Sequence, residues 1–222
     1  MLQIRIMDFR LKTYTRPPLS GAKPKKIVLS LHGLGSNGMD LLGLAPYWAQ
    51  ALPDAVFISP DAPFPCDMAP VGFQWFSLQD RRLEAMLEGV EQVEPVLQEY
   101  ITQILQHYDL TEKDLALVGF SQGTMMSLYA GPRRAKQIAG ILGYSGALIG
   151  GEGLAEVSSK PPVYLVHGEA DDVVPVTAYR HAVEALRQNG FDVQGHTTPY
   201  LPHSIDNDGI EAGAKFLARV LS

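Results

Sequence analysis

Residues 115–128 read LALVGFSQGTMMSL. The run LALV at 115–118 is short and apolar, as in a strand buried on both faces of a parallel sheet. Gly119, Phe120, Ser121, Gln122 and Gly123 then fit G-x-S-x-G, and residues 124–129 return to a helix-compatible pattern. Ser121 therefore stands where a strand turns directly into a helix, which is the arrangement of a nucleophile elbow. Both glycines are needed sterically. The serine is held in a strained backbone conformation, and a side chain two residues before or after it would strike the crossing strand or helix. A helix starting here also aims the backbone N–H of Gln122, and the positive end of its dipole, at the place where an oxyanion would develop.

Working outward from this stretch, strands and helices alternate. An alternating edge strand is expected over 9–15, ended by Arg16, Pro17 and Pro18, and a strong buried strand over 27–31. That strand runs into His32, Gly33, Leu34, Gly35, Ser36, Asn37 and Gly38, after which a helix is expected over 39–52 and a strand over 55–59. Residues 60–78 are rich in Pro, Phe, Met and Trp and show no regular period. From 81 to 108 apolar residues recur at three and four, marking a long amphipathic helical region in which Pro95 either kinks one helix or starts a second. Beyond the elbow, Gly131 and Pro132 should stop the nucleophile helix. Strands are then expected over 138–144, 163–166 and 193–197, with helices over 176–188 and 207–221. This alternation predicts a mostly parallel central sheet with helices on both faces. With no linker or repeat in 222 residues, one domain over 1–222 is expected.

The composition narrows the function. A net charge of -6 offers no basic face to nucleic acid or to an anionic membrane, and charged residues at 19% are ordinary for a soluble protein. The single cysteine, Cys66, excludes an internal disulfide and a thiolate metal cluster and suits a reducing compartment. Arg5, Asp8 and Arg10 interrupt the segment where a signal peptide needs an apolar core, and no run has the length of a membrane span. A soluble cytoplasmic protein is the expectation.

A serine hydroxyl is a poor nucleophile on its own, so Ser121 needs a base, and the base needs a third group to fix its tautomer. In a sheet of this kind the chain order is Ser, acid, His. His181 falls inside a helix and His196 inside a strand, whereas His203 sits in the loop after the last strand, at the sheet edge where such folds place ligands. His203 is the candidate base. The acid should follow the 163–166 strand, where Asp171 and Asp172 are adjacent and spacing barely separates them. A second oxyanion donor should come from the loop containing Gly33, Leu34 and Gly35.

LHGLG at 31–35, GFSQG at 119–123, HGEADDVVP at 167–175 and PHS at 202–204 together resemble the phospholipase/carboxylesterase family of small α/β-hydrolases, which includes bacterial carboxylesterases and acyl-protein thioesterases. The resemblance runs from about residue 27 to the C-terminus and implies the α/β-hydrolase fold. It also implies Ser121 as nucleophile, Asp171 rather than Asp172 as acid, His203 as base, and the backbone N–H groups of Leu34 and Gln122 as the oxyanion hole. Trp75 resembles the tryptophan this family carries beside its acyl site. The cluster of Phe64, Met68, Val71, Phe73, Trp75 and Phe76 suggests that 60–78 forms an apolar wall of that site, with Met68, Phe73 and Trp75 touching substrate.

The expected reaction is hydrolysis of a carboxylic ester of short to medium acyl chain, extending to thioesters or lysophospholipids, through an acyl-enzyme. It needs no metal and no cofactor. The expected partners are a small ester or acyl substrate and, at most, a second copy in a homodimer. Two rival readings compete. Gly33, Gly35 and Gly38 also fit the dinucleotide pattern G-x-G-x-x-G, with Asp54 and Asp61 placed to hold a ribose, and the fold could serve a non-catalytic binder. Asp206, Asn207, Asp208 and Gly209 imitate part of a calcium loop but lack its ligand spacing, and are expected to start the last helix.

Overall fold

A computed structural model describes residues 9–222. Arg5 and Asp8, two of the charges set against a signal peptide, lie outside the described residues. In chain order the elements are β1 (Thr13–Arg16), β2 (Lys26–Leu31), α1 (Gly38–Leu42), α2 (Ala45–Trp48), β3 (Ala55–Pro60), β4 (Phe64–Pro65), β5 (Phe73–Gln74) and α3 (Leu83–Tyr108). They continue with β6 (Leu115–Phe120), α4 (Gln122–Arg133), β7 (Gly140–Tyr144), β8 (Val163–Gly168), α5 (Val176–Gln188), β9 (Val193–Thr198) and α6 (Asn207–Val220).

Among the described residues seven strands form one sheet in the order β1-β3-β2-β6-β7-β8-β9. All neighbours are parallel except β1, which runs antiparallel to β3 from Thr13 opposite Pro60 to Arg16 opposite Phe57. The period-two alternation of the central strands sorts their side chains between two cores. Ile27, Leu29, Leu31, Leu115 and Leu117 face the layer of α3, α4 and α5, while Val28, Ala116 and Val118 face that of α1, α2 and α6. Both layers are close to dry, so Leu117→Ala should cost about 2–5 kcal/mol through lost burial and the cavity left behind.

The expected elements are present, with boundaries that differ for local reasons. The 39–52 helix is two short ones, because Pro46 near the start of α2 has no N–H to return to the preceding turn and its ring crowds that turn's carbonyl. Pro95, by contrast, lies inside a single 26-residue helix. The bond it removes is outweighed by the buried stripe of Val90, Val93, Leu97, Tyr100, Ile101 and Ile104. Helix α4 continues past Gly131 and Pro132 to Arg133. The edge strand pairs only from Thr13, and β7 begins at Gly140 rather than 138. Segment 60–78 contains the small β4–β5 hairpin, with Phe64 opposite Gln74 and Pro65 opposite Phe73. At α6, Asp206 is the N-cap, its carboxylate accepting from Gly209 N at 2.7 Å.

Candidate active site

The elbow at the end of β6 is built as its glycines require. Ser121 has φ 54° and ψ -117°, a positive φ that L-residues rarely adopt, and its N–H donates to Tyr144 O at 2.9 Å. A Cβ on Gly119 would lie 2.4 Å from Thr124 N, and one on Gly123 would lie 1.8 Å from Leu31 O. The strand before the serine and the helix after it can therefore meet only through glycine. Ser121 itself is 8% exposed.

Asp171 and His203 come from the loops after β8 and β9, at the same carboxyl edge of the sheet. His203 Nδ1 lies 2.7 Å from Asp171 Oδ2. The other carboxylate oxygen accepts from Val173 N at 2.9 Å and Val174 N at 2.8 Å. Burial alone would raise the Asp171 carboxyl, but the hydrogen bonds from His203, Val174 and Val173 outweigh it and hold the group below the ordinary aspartate value. With an ionised partner, Nδ1 of neutral His203 carries the proton and Nε2 is left with its lone pair. The Phe120 ring packs against the His203 ring with centroids 4.9 Å apart. Asp172 is exposed. No hydrogen bond joins Ser121 Oγ to His203; such contacts in ligand-free sites commonly tighten only with substrate.

Gly33 brings the loop after β2 against Ser121, since a Cβ built there would be 3.2 Å from Ser121 Cβ. The backbone N–H groups of Leu34 and Gln122 have no partner among the described residues, the second because it opens α4. His32 fixes this loop. Its Nε2 accepts from Ala62 N at 2.9 Å, so the proton must reside on Nδ1, which donates to Gly33 O at 2.7 Å. Burial lowers the His32 pKa and keeps the ring neutral, as this tautomer demands. In a trans peptide the carbonyl and the next N–H point opposite ways. Holding Gly33 O therefore also sets the direction of the Leu34 N–H.

Ser121 and His203 open onto a cavity of about 760 Å³. Leu78, Leu83 and Met86 form one apolar wall, and Leu148, Ile149 and Val174 form another. Leu34 reaches the lining and so does His181, which the sequence marked as an ordinary helix residue.

The model of the phospholipase/carboxylesterase family matches residues 19–221. The chain belongs to that family. It is 28% identical over 212 residues to acyl-protein thioesterase 1 of Gibberella zeae, covering 87% of this chain and 90% of that protein. It is also 28% identical over 190 residues to esterase YpfH of Escherichia coli, covering 84% of this chain and 79% of that one. Among solved structures, esterase PE8 superposes with a TM-score of 0.90 at 39% identity, over 95% of this chain and 99% of its own. The α/β-hydrolase architecture and a hydrolase activity of the esterase or thioesterase type follow from this membership.

Three residues expected to touch substrate lie elsewhere: Trp75, Phe73 and Met68 are absent from the cavity wall. Met68 is 48% exposed on the surface. Phe73 bridges to the loop after β2, its C=O accepting from Gly35 N and its N–H donating to Ser36 O, each at 2.8 Å. Trp75 is fully buried. Its indole Nε1 donates to His32 O at 3.0 Å and its backbone N–H to Gln122 Oε1 at 2.9 Å, while Gln122 Nε2 donates to Phe76 O at 2.7 Å. The apolar segment is thus a clamp on the loop after β2, and of its residues only Leu78, at its end, reaches the cavity. His32, the Gln122 side chain, Leu148 and Ile149 were not singled out from sequence. LHG and the position after a strand end were the available signals for His32 and for the Leu148–Ile149 pair.

The ribose reading fails on geometry. Asp61 is buried and accepts from Gly38 N at 2.9 Å and Tyr14 Oη at 3.2 Å, and Asp54 pairs with Lys25 at 2.7 Å, so neither faces a vacant nucleotide loop. Among the described residues no group of three or more His, Cys, Asp or Glu could hold a metal ion, and no helix is long and apolar enough to cross a membrane.

Proposed function

We propose that the chain, as one hydrolase domain, cleaves carboxylic esters of short to medium acyl chain by two-step acyl transfer. Ser121 attacks the carbonyl while His203 Nε2 takes its proton, and Asp171 keeps the proton of Nδ1 in place and steadies the imidazolium. The tetrahedral oxyanion is received by the N–H groups of Leu34 and Gln122, reinforced by the α4 dipole. His203 returns its proton to the leaving alcohol or thiol, and the same nitrogen then draws a proton from the water that clears the acyl-enzyme.

The observation that carries this reading is that His203, paired with Asp171 at 2.7 Å, lines the same cavity as Ser121 in its strained turn. The apolar walls suit an acyl chain, each buried methylene contributing about 0.8 kcal/mol. Thioesters enter the proposal through the likeness to acyl-protein thioesterase 1, and lysophospholipids through the family.

The test is a panel of p-nitrophenyl esters of graded chain length, beside a thioester and a lysophospholipid, with wild type and Ser121→Ala. Turnover should rise from acetyl to a medium chain and vanish in the alanine variant. Retained turnover in that variant would remove Ser121 from the mechanism.

A further inference from the structure

We propose that the preferred substrates carry an anionic group, a carboxylate or a phosphate, set apart from the scissile carbonyl, and that Arg81 receives it. The inference rests on the assignment of Ser121 above and adds the class of substrate.

Arg81 lies in the turn between β5 and α3 and lines the same cavity as Ser121, beside Leu78 and Leu83. Among the described residues it is the only fixed cation on that lining, and no Asp or Glu accompanies it there. The nearest acid in sequence is already engaged. Asp80 takes Arg82 through contacts of 2.9 Å at Nε and 2.5 Å at the guanidinium terminus, which pull its carboxyl down to about 2. Among the described residues Arg81 has neither a hydrogen-bond acceptor nor an ion-pair partner.

This placement runs against the overall charge. A chain of net charge -6 repels anions at long range, yet the apolar cavity at Ser121 has no carboxylate among its described lining residues and carries a guanidinium unpaired among the described residues. Ser121 and Arg81 therefore present two different demands to one ligand. The part of the substrate between the ester at Ser121 and the anion, whether acyl chain or leaving group, would lie along Leu78, Leu83 and Met86, with an acceptor for the planar guanidinium fork at its other end. Because Arg81 is exposed, the ion pair stays partly hydrated and its effect is modest, about three- to tenfold in kcat/KM, and sensitive to salt.

Two matched substrate pairs test this on the full chain. On the acyl side, mono-4-nitrophenyl adipate is compared with 4-nitrophenyl hexanoate. On the leaving-group side, butyryl glycerol 3-phosphate is compared with butyryl glycerol. The readout is the anionic-to-neutral ratio of kcat/KM in wild type, Arg81→Gln and Arg81→Lys, at low salt and at about 0.5 M NaCl. In one of the two pairs the ratio should fall about three- to tenfold in Arg81→Gln, be partly restored in Arg81→Lys, and shrink in wild type at high salt. The pair that responds identifies the source, acyl carboxylate or leaving-group phosphate. A ratio unchanged by Arg81→Gln in both pairs, with neutral turnover still dependent on Ser121, overturns the role of Arg81 alone. Hexanoate turnover that survives Ser121→Ala overturns both assignments.

Discussion

The two sides of Ser121 are built in opposite ways. On the side of the proposed oxyanion hole His32, Phe73 and Trp75 tie the loop after β2, and Gln122 holds Trp75 and Phe76 in turn, through hydrogen bonds of 2.7–3.0 Å in a buried environment. On the side proposed for the acyl chain the walls are apolar, drawn from three separate segments, and reach the exposed Leu83 and Val173. The difference matches two physical needs. Donors to a developing charge must be fixed beforehand, since any reorganisation adds to the barrier, whereas a methylene chain asks only for dry surface of the right extent.

The sharpest break should come at the base. Asp171→Asn leaves His203 without an anionic partner and should lower kcat by about 10²- to 10⁴-fold. The neighbouring Asp172→Asn, on an exposed side chain, should change it by less than about threefold. A reversed ranking in steady-state kinetics would make Asp172 the acid.

The oxyanion side can be broken without touching the base. Asparagine places its amide nitrogen near Nδ1 of histidine, whereas glutamine places its amide near Nε2. His32→Asn therefore keeps a donor for Gly33 O, and His32→Gln keeps a partner only for Ala62 N. Since losing one oxyanion donor costs roughly 10²–10³ in kcat, misaiming the Leu34 N–H should cost about 10- to 100-fold in the glutamine variant and markedly less in the asparagine variant. Equal losses would mean that His32 serves packing alone.

On the acyl side, Met86→Ala should lower octanoyl turnover relative to acetyl by about three- to tenfold, the worth of one or two buried methylenes, with little change in Tm. Trp75→Phe should do the reverse. Losing the indole bond to His32 O should cost about 1 kcal/mol of stability, read as a lower Tm, while the chain-length profile stays as it was. A profile that shifted with Trp75 and not with Met86 would exchange the two sides.

Acid should loosen the surroundings of His32 before those of Asp171. His32 has a folded pKa below its unfolded value of about 6.5, so as pH falls past that value the unfolded chain takes a proton the folded one refuses, and stability drops. The Asp171 carboxyl is also lowered. Its contribution is present above the unfolded value near 3.9 and is lost as pH falls through the folded pKa, a second and more acid window. Urea midpoints at about pH 7.5, 5.5 and 3.5 should show both declines, with His32→Asn lacking the first.

The same contrast explains what could be read from the sequence. Strands of residues such as Ile27, Leu29 and Leu117 announce themselves by apolar runs, and Ser121 announces itself by two glycines that only an elbow requires. The pairing of His203 with Asp171 is legible because chain order and strand ends place both residues at the carboxyl edge of the sheet. The clamp is not, since much of it uses backbone groups, Phe73 N and O or Ala62 N, that leave no side-chain signature. An apolar residue also looks the same in sequence whether it lines a groove or fills a core, which is why the sequence alone points Trp75, Phe73 and Met68 toward substrate. The walls were hidden for another reason, as Leu83, Leu148 and Val174 meet only once the sheet order is known.

Labelling the intact protein with a fluorophosphonate, followed by peptide mapping by mass spectrometry, tests the central claim most directly. A single adduct on Ser121, formed in step with loss of esterase activity and absent from Ser121→Ala, is the expected result. An adduct on any other serine with activity lost, or full activity with Ser121 modified, would contradict it.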